Sequence, residues 1–238
     1  MNPCLALDTS SSILSVAVSS DGKKIRDLHV PGLFRHAENL LPVLVRLLRK
    51  KKVRLDALGA ILINRGPGSF TGLRIGFSTL KGLLAVKKIP CYGALSLDVI
   101  AAGIRLPRPS CLAICLDAYR GQFYVRHYHN ARGGWRPLGK ARIETPESFI
   151  RALPETAAIA GDALERYRDN LQKMAEAAGK KVRFLRKDSW YPKASVLVRW
   201  HFEKSPFLKK LAKPKELLPL YFRRSEAEER RKRHDDRR

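Results

Sequence analysis

The sequence predicts an α/β protein built from two similar lobes, each a strand, strand, strand, helix, strand, helix unit, facing one another across a cleft. Three observations predict it. The same order of apolar runs occurs twice in 238 residues, a length that suits two lobes of roughly 100 residues each. Each copy opens on two β-like runs joined by a polar turn. In the first copy a glycine-rich stretch, NRGPGSFTGLRIG from Asn64 to Gly76, joins a buried strand to a long apolar helix. The divisions so read are 1–104 for the first lobe, 105–222 for the second, whose last helix is able to pack back on the first, and 223–238 for a basic, disordered tail.

The elements follow in order. CLALDTS and ILSVAVSS read as strands across a polar turn, and Asp21-Gly22 signals a hairpin into a third strand, KIRDLHV. HAENLLPVLVRLLRKKK sets Leu40, Leu41, Leu44, Leu47 and Leu48 at helical spacing, with basic residues at the negative end of the helix dipole and Pro42 near the first turn or kinking it. LGAILIN is a buried strand, and the long helix follows the glycine-rich turn. IPCYGAL is a short strand, and Ser96 is placed to cap the helix SLDVIAAGI. The second copy runs CLAICLDA, QFYVRHYH, a Gly133-Gly134 hairpin, WRPLGKARI, then a helix capped by Thr145 with Pro146 at its first position. TAAIAG, DALERYRDNLQKMAEAAG, KVRFLR and KASVLVRWHFEK complete it. Asp8 and Asp117, each ending the first strand of its lobe, are placed to look into the cleft from opposite sides.

A formal net charge of +25 is the compositional outlier. It favours encounter with polyanions such as RNA, although solvated helix ends and a charged tail account for it equally well, and the aromatics are not spaced as a base-stacking platform. No apolar stretch approaches a membrane span, and no secretory signal is visible, so the expected location is the cytosol. Cys4, Cys91, Cys111 and Cys115 read as buried thiols, since Cys111 and Cys115 lack zinc-knuckle spacing.

The glycine-rich loop fails both common nucleotide fingerprints. It lacks the lysine of a Walker A loop, and Thr71 stands where G-x-G-x-x-G needs its third glycine. Two readings stay open: a structural turn, or an anion site in which Gly68 and Ser69, with Asp8, Thr9 and Ser10, surround a phosphate. Ser69 or Thr71 is placed to cap the next helix. Gly72 and Gly76 share one helix face and permit close packing, either within the lobe or against a partner. His36 has Leu40 at i+4, so no metal pair exists there; His127 and His129 share a strand face and read as surface residues.

LALDTSSSILSVAV, HAENLLPVL, NRGPGSFTGLRIG, LDAYRGQFYVRHY, GDALERY and LLPLYFRR, spread from about Cys4 to Arg224, resemble the TsaB (YeaZ) family in order and spacing. The resemblance implies the duplicated actin-like, sugar-kinase and Hsp70-type fold. It implies a subunit without catalytic residues, cofactor or metal of its own. Such a subunit binds TsaD, which makes N6-threonylcarbamoyladenosine at adenosine 37 of tRNAs reading codons that begin with A. The ATPase TsaE joins that pair, ATP or ADP enters at the level of the complex, and self-association uses a similar surface. The partner surface so implied is His36, Glu38, Leu41, Leu44 and Leu48 on one helix, with Thr71, Arg74, Ile75, Gly76 and Thr79 on the next. Contact with tRNA through the basic surface is a further expectation. The rival readings are a phosphotransferase of the same fold, using Asp8, Thr9 and Ser10 with Asp117 as base, and a stand-alone RNA-binding protein. The chain departs from the family pattern in its basicity and in Asp117-Ala118-Tyr119, where the family usually reads Asp-Ala-Arg.

Overall fold

The computed structural model describes residues 2–31, 35–106, 111–132 and 134–222. The tail 223–238 and Gly133 of the second hairpin therefore lie outside the described residues. The first lobe runs β1 (Cys4–Asp8), β2 (Ile13–Ser19), β3 (Arg26–Pro31), α1 (His36–Lys50), β4 (Ala60–Asn64), α2 (Phe70–Val86), β5 (Cys91–Ala94) and α3 (Ser96–Gly103). The second runs β6 (Cys111–Asp117), β7 (Phe123–Ala131), β8 (Gly134–Glu144), α4 (Pro146–Ala152), β9 (Thr156–Ala160), α5 (Leu164–Ala177), β10 (Lys181–Phe184) and α6 (Ala194–Phe202). Strand order is β5-β4-β1-β2-β3 in one sheet and β10-β9-β6-β7-β8 in the other. Each strand has its counterpart five strands later, with the same parallel and antiparallel neighbours. The chain is thus an α/β duplication, as the repeated order predicts.

The alternation of side chains along the central strands decides what covers each face. Leu5, Leu7, Ile61 and Ile63 point to one side and join a core with Leu40, Leu44, Leu47 and Leu48 of α1 and Phe77 and Leu80 of α2. Cys4, Ala6, Ala17, Ala60 and Leu62 point to the other, where mostly small side chains let a helix approach closely. That helix is α6, whose Ala194, Val196, Leu197, Val198 and Trp200 close the layer. The Ala194 N–H also donates to Ser15 Oγ of β2 at 2.9 Å. Reciprocally, α3, first-lobe by chain order, puts Leu97, Ile100, Ala101 and Ile104 into the core of the second sheet. Its Asp98 carboxylate accepts both Arg126 Nη1, at 2.8 Å, and Tyr128 Oη, at 2.7 Å, from β7. The lobes exchange their last helices.

Several local expectations need correction. Ser96 caps nothing: Leu95 holds the N-cap position without a side-chain bond, and the Ser96 hydroxyl is committed elsewhere. Pro42 lies inside α1 in its second turn, exposed, where its missing N–H removes the bond to the Glu38 carbonyl. A sixth strand, β11 (Lys209–Lys210), pairs antiparallel with β5, and two lysines carry no strand signal that periodicity could read. His127 is buried, not a surface residue beside His129, because it continues the buried face of Phe123 and Val125 along β7, and that face reaches solvent only at His129. Burial lowers the His127 pKa. Ser69, by contrast, caps α2 by accepting the Gly72 N–H, and Thr145 caps α4 by accepting the Ser148 N–H.

The close approach of α6 makes a specific prediction. Ala6→Leu adds bulk to the small-residue face and should destabilise the whole chain by about 1–3 kcal/mol. Urea unfolding followed by tryptophan fluorescence checks it, and a neutral effect would mean that α6 is not held at this face.

Candidate functional site

The site is built around the turn between β1 and β2. Asp8 Oδ1 accepts the Ser10 N–H at 3.1 Å and the Ser10 hydroxyl at 2.7 Å. Asn64, at the end of β4, reaches the same hydroxyl through Nδ2 at 3.3 Å, while its Oδ1 accepts the Ser96 hydroxyl at 3.0 Å and the Gly66 N–H at 3.3 Å. From the other side, His36 Nε2 meets the Ser11 carbonyl at 2.7 Å. A carbonyl only accepts, so the proton sits on Nε2. Residues from β1, β4, α1 and α3 converge on four residues of turn.

The glycine-rich loop seats this turn. A Cβ at Gly68 would overlap the Ser10 carbonyl, one at Gly72 the Thr9 carbonyl, and one at Gly76 the Thr9 hydroxyl, each under 3.0 Å. The Ser69 N–H donates to the Ser10 carbonyl at 2.7 Å, and the Gly72 N–H is taken by Ser69 Oγ at 3.1 Å. Two of the donors that an anion would use at the start of α2, the Ser69 and Gly72 N–H groups, are therefore spent inside the chain. Thr9 and Ser10 are buried.

Asp8 is 1% exposed and does not look into an open cleft, contrary to expectation. Among the described residues its Oδ2 has no hydrogen-bond partner. Burial pushes its carboxyl up from 3.8 to about 6, against the pull of the Ser10 hydrogen bonds. Asp117, its counterpart, is partly exposed; it accepts the Tyr119 N–H at 2.7 Å and lies 3.4 Å from Arg166 Nη1. The Asp117 N–H in turn donates to Asp162 Oδ1 at 2.9 Å. Burial, helped by the charges of Asp117 and Glu165, raises the Asp162 carboxyl to about 7. Both lobes thus hold a raised carboxyl under the end of the first strand.

The implied partner surface divides. Glu38, Leu41, Thr71 and Arg74 are exposed, and Ile75 and Thr79 are half-buried. Leu44 and Leu48 belong to the first lobe's own core, His36 is committed to the turn, and Gly76 is covered by Thr9. These four must be removed from a contact surface, because reaching them would require opening the lobe. Sequence reasoning passed over Val45, one turn beyond Leu41: the two are 43% and 51% exposed. It also passed over Phe70, whose ring carries the Arg74 guanidinium at 4.0 Å and lies 4.9 Å from the Tyr221 ring. The helical spacing of Val45 was readable; the packing on Tyr221, at the far end of the chain, was not. A separate cavity of about 670 Å³, lined by Arg105, Trp135, Arg136, Arg199, Trp200 and Phe207 among others, contains none of the sequence-derived site residues.

Among the described residues no group of three or more His, Cys, Asp or Glu side chains is arranged to hold a metal, and no helix is long and apolar enough to cross a membrane. All four cysteines are free and buried, with burial pushing Cys91 up to about 11.

The raised Asp8 fixes the sign of a pH effect. Folding strengthens proton binding at this group, so its ionisation costs stability progressively from about pH 4 to pH 7. The stability of Asp8→Asn relative to the unsubstituted chain should therefore move in the variant's favour over that range, by about 1–3 kcal/mol. Urea unfolding at four pH values measures the difference; a flat difference would contradict the burial of an unpaired carboxyl oxygen.

Known proteins share this architecture. The family model described as TsaD, tRNA N6-adenosine threonylcarbamoyltransferase, matches residues 34–228. The tRNA threonylcarbamoyladenosine biosynthesis protein TsaB of Escherichia coli is 32% identical over 146 residues, 60% of this chain and 62% of the relative. TsaB of Haemophilus influenzae is 30% identical over 63% of this chain and 66% of its own length, so each of these matches spans just under two thirds of the relative. TsaB of Buchnera aphidicola from Schizaphis graminum is 26% identical over 84% of this chain and 93% of its own. The solved structure of YeaZ from Pseudomonas aeruginosa superposes with a TM-score of 0.74 at 28% identity, covering 93% of this chain and all of that one. A second Pseudomonas aeruginosa structure, described as similar to the peptidase YeaZ, gives 0.75 at 26% identity over 94% and 100%. The chain belongs to the family that the threonylcarbamoyltransferase model describes and, within it, to the TsaB (YeaZ) proteins.

Proposed function

We propose that this chain is a subunit for N6-threonylcarbamoyladenosine formation in tRNA that performs no chemistry itself and instead binds and activates the catalytic relative, TsaD. One observation carries the reading. The strand-to-helix turn, the natural place in such a lobe for a nucleotide phosphate, is filled by the chain's own Thr9 and Ser10, over a carboxylate 1% exposed to solvent. A phosphotransferase would need that turn open and Asp8 accessible. The names of the TsaB relatives support the pathway.

The partner surface in this reading is the outer ridge of α1 with the adjoining turn of α2: Glu38, Leu41, Val45, Thr71, Arg74 and the exposed part of Ile75. Exposed aliphatic side chains at i and i+4, rimmed by one acidic and one basic residue, suit a helix-on-helix contact with a second lobe of the same fold. Self-association of this chain would use the same ridge and compete with TsaD. TsaE, with ATP or ADP, joins only the assembled pair.

Reconstitution with TsaD, TsaE, threonylcarbamoyl-adenylate and unmodified tRNA tests the role: modified tRNA should form with this chain and fall at least tenfold without it. Modification at full rate without it, or ATP turnover by the isolated chain, would overturn the reading. For the surface, Leu41→Asp with Val45→Asp should weaken binding to TsaD at least tenfold while leaving the circular dichroism spectrum unchanged, since both side chains already face solvent. Undiminished binding would move the interface elsewhere.

A further inference from the structure

We propose that the basic end of the first lobe, where α1 finishes, is a docking surface for the phosphate backbone of folded RNA. The surface itself is independent of the function proposed above; only the choice of tRNA as the RNA rests on that reading.

The chain's charge is not evenly spread. Residues 46–54, RLLRKKKVR, hold six Lys or Arg and no Asp or Glu. The segment after residue 222, the more obvious candidate, sets eight Lys or Arg against five Asp or Glu. The fold adds to the first cluster. Lys51 Nζ donates to the Lys24 carbonyl at 2.9 Å, which brings the β2–β3 hairpin lysines to the same end. Lys87 Nζ bonds the Asp56 carbonyl, which brings in the end of α2 with Lys88. The Asp56 carboxylate is occupied by Arg54, at 2.6 Å. The Asp21 carboxylate is turned onto the backbone N–H groups of Lys23 and Lys24.

Two bland explanations fall short. Basic residues in the last turn of a helix complement its dipole, but that end amounts to about half a charge, which one or two cations satisfy. Nor is this merely a convenient way to end α1. The helix closes with the Lys52 N–H on the Arg49 carbonyl and the Val53 N–H on the Leu48 carbonyl, both at 3.0 Å, the pattern that puts a left-handed residue after the helix. Glycine suits that position, yet Lys52 holds it at φ 52°. A strained backbone and close like charges are both retained at one place, and a bound polyanion relieves the repulsion.

RNA fits better than a lipid surface. Membrane-lying segments interleave their cations with apolar side chains that enter the bilayer. Here Val53 and Leu55, the interleaved residues, pack against the lobe's core, and among the described residues Val86 is the large apolar side chain left exposed beside Lys87.

The test is fluorescence anisotropy of a labelled, unmodified tRNA transcript with the full chain across 50–300 mM KCl. Arg49→Gln, Lys50→Gln, Lys52→Gln and Lys88→Gln together should lower affinity about 10–100-fold at 100 mM salt and reduce the slope of log K against log salt by roughly 2 to 4, near one for each phosphate no longer neutralised. Four equivalent changes on the exposed face of the second lobe, Lys173→Gln, Lys181→Gln, Arg183→Gln and Arg186→Gln, should change affinity less than threefold. Lys52→Gly alone should raise the thermal midpoint while weakening RNA binding several-fold, which separates a missing cation from a damaged fold. Equal losses in the two quadruple variants would overturn the proposal, as would unchanged binding by the first. Loss of binding to phosphatidylserine vesicles with RNA binding intact would assign the surface to a membrane instead. Reconstitution with TsaD distinguishes the two readings: activation of TsaD by a chain that binds no RNA refutes the docking surface alone, and RNA binding by a chain that fails to activate TsaD refutes the subunit role alone.

Discussion

The two lobes depend on an exchange: α3 completes the second sheet's core and α6 completes the first. Each lobe, cut at the chain boundary between α3 and β6, loses the cover of one face of its sheet. The alanine-rich face formed by Ala6, Ala17 and Ala60 would stand in water, and so would the second-sheet residues that Leu97 and Ile100 cover. Each fully buried aliphatic side chain is worth about 1.5–3 kcal/mol of transfer free energy, so loss of either helix removes several such terms together. The Arg126–Asp98 pair, in which Nη1 reaches both carboxylate oxygens, then has a clear part. It fixes the register of α3 on the second sheet, and that register sets where Ser96 falls.

Ser96 is where the exchange meets the candidate site. Because α3 is held by the other lobe, its first residue arrives against Asn64 and Ser10 at a set distance, and the turn from Asp8 to Ser11 becomes enclosed on every side by the chain's own groups. The enclosure has an electrostatic consequence. An aspartate taken out of water with one oxygen unpaired holds its proton more tightly, and the Ser10 donors only partly compensate. A group so placed serves the fold's geometry more readily than it serves a substrate. The second lobe reaches a similar result from a different position: Asp162, which follows β9 and is held by the Asp117 N–H, is raised by burial where Asp8 ends β1.

Most of the architecture is legible in the sequence because it is written in periodicity and turn residues, which act locally. The doubled strand order, the Asp21-Gly22 hairpin, the Ser69 and Thr145 caps and the shared face of Gly72 and Gly76 all follow from residues within a few positions of one another, although what crowds that face, Thr9, does not. What escapes is set by distant chain. Five leucines on α1 mark a stripe, but a stripe wider than one face does not say that Leu40, Leu44, Leu47 and Leu48 go inward while Leu41 stays out. That depends on β2 and α2 lying against one side of the helix. The hydroxyl of Ser96 reads as a cap until a serine 86 positions earlier is seen beside it. His127 and His129 share a face by alternation, but only the packing of the lobe decides that the core covers that face as far as His127 and leaves His129 in solvent. The strand Lys209–Lys210 owes its existence wholly to the open edge of β5.

Once the core claims four of its leucines, α1 has one outward ridge, and its composition changes along its length. Glu38 begins it, Leu41 and Val45 occupy the middle, and Arg49 and Lys52 end it, an ordering from acidic through apolar to basic. The acid and the bases suit the helix dipole, but the dipole has no use for the apolar middle, and water disfavours it. At 1.5 Å per residue, Leu41 and Arg49 are only about 12 Å apart. A protein seated on the aliphatic middle would therefore stand directly beside phosphates held at the basic end. In the proposed assembly that adjacency is the useful property, for it lets one short helix fix a catalytic partner and its RNA in a common frame while the chain that carries the helix keeps its own turn closed.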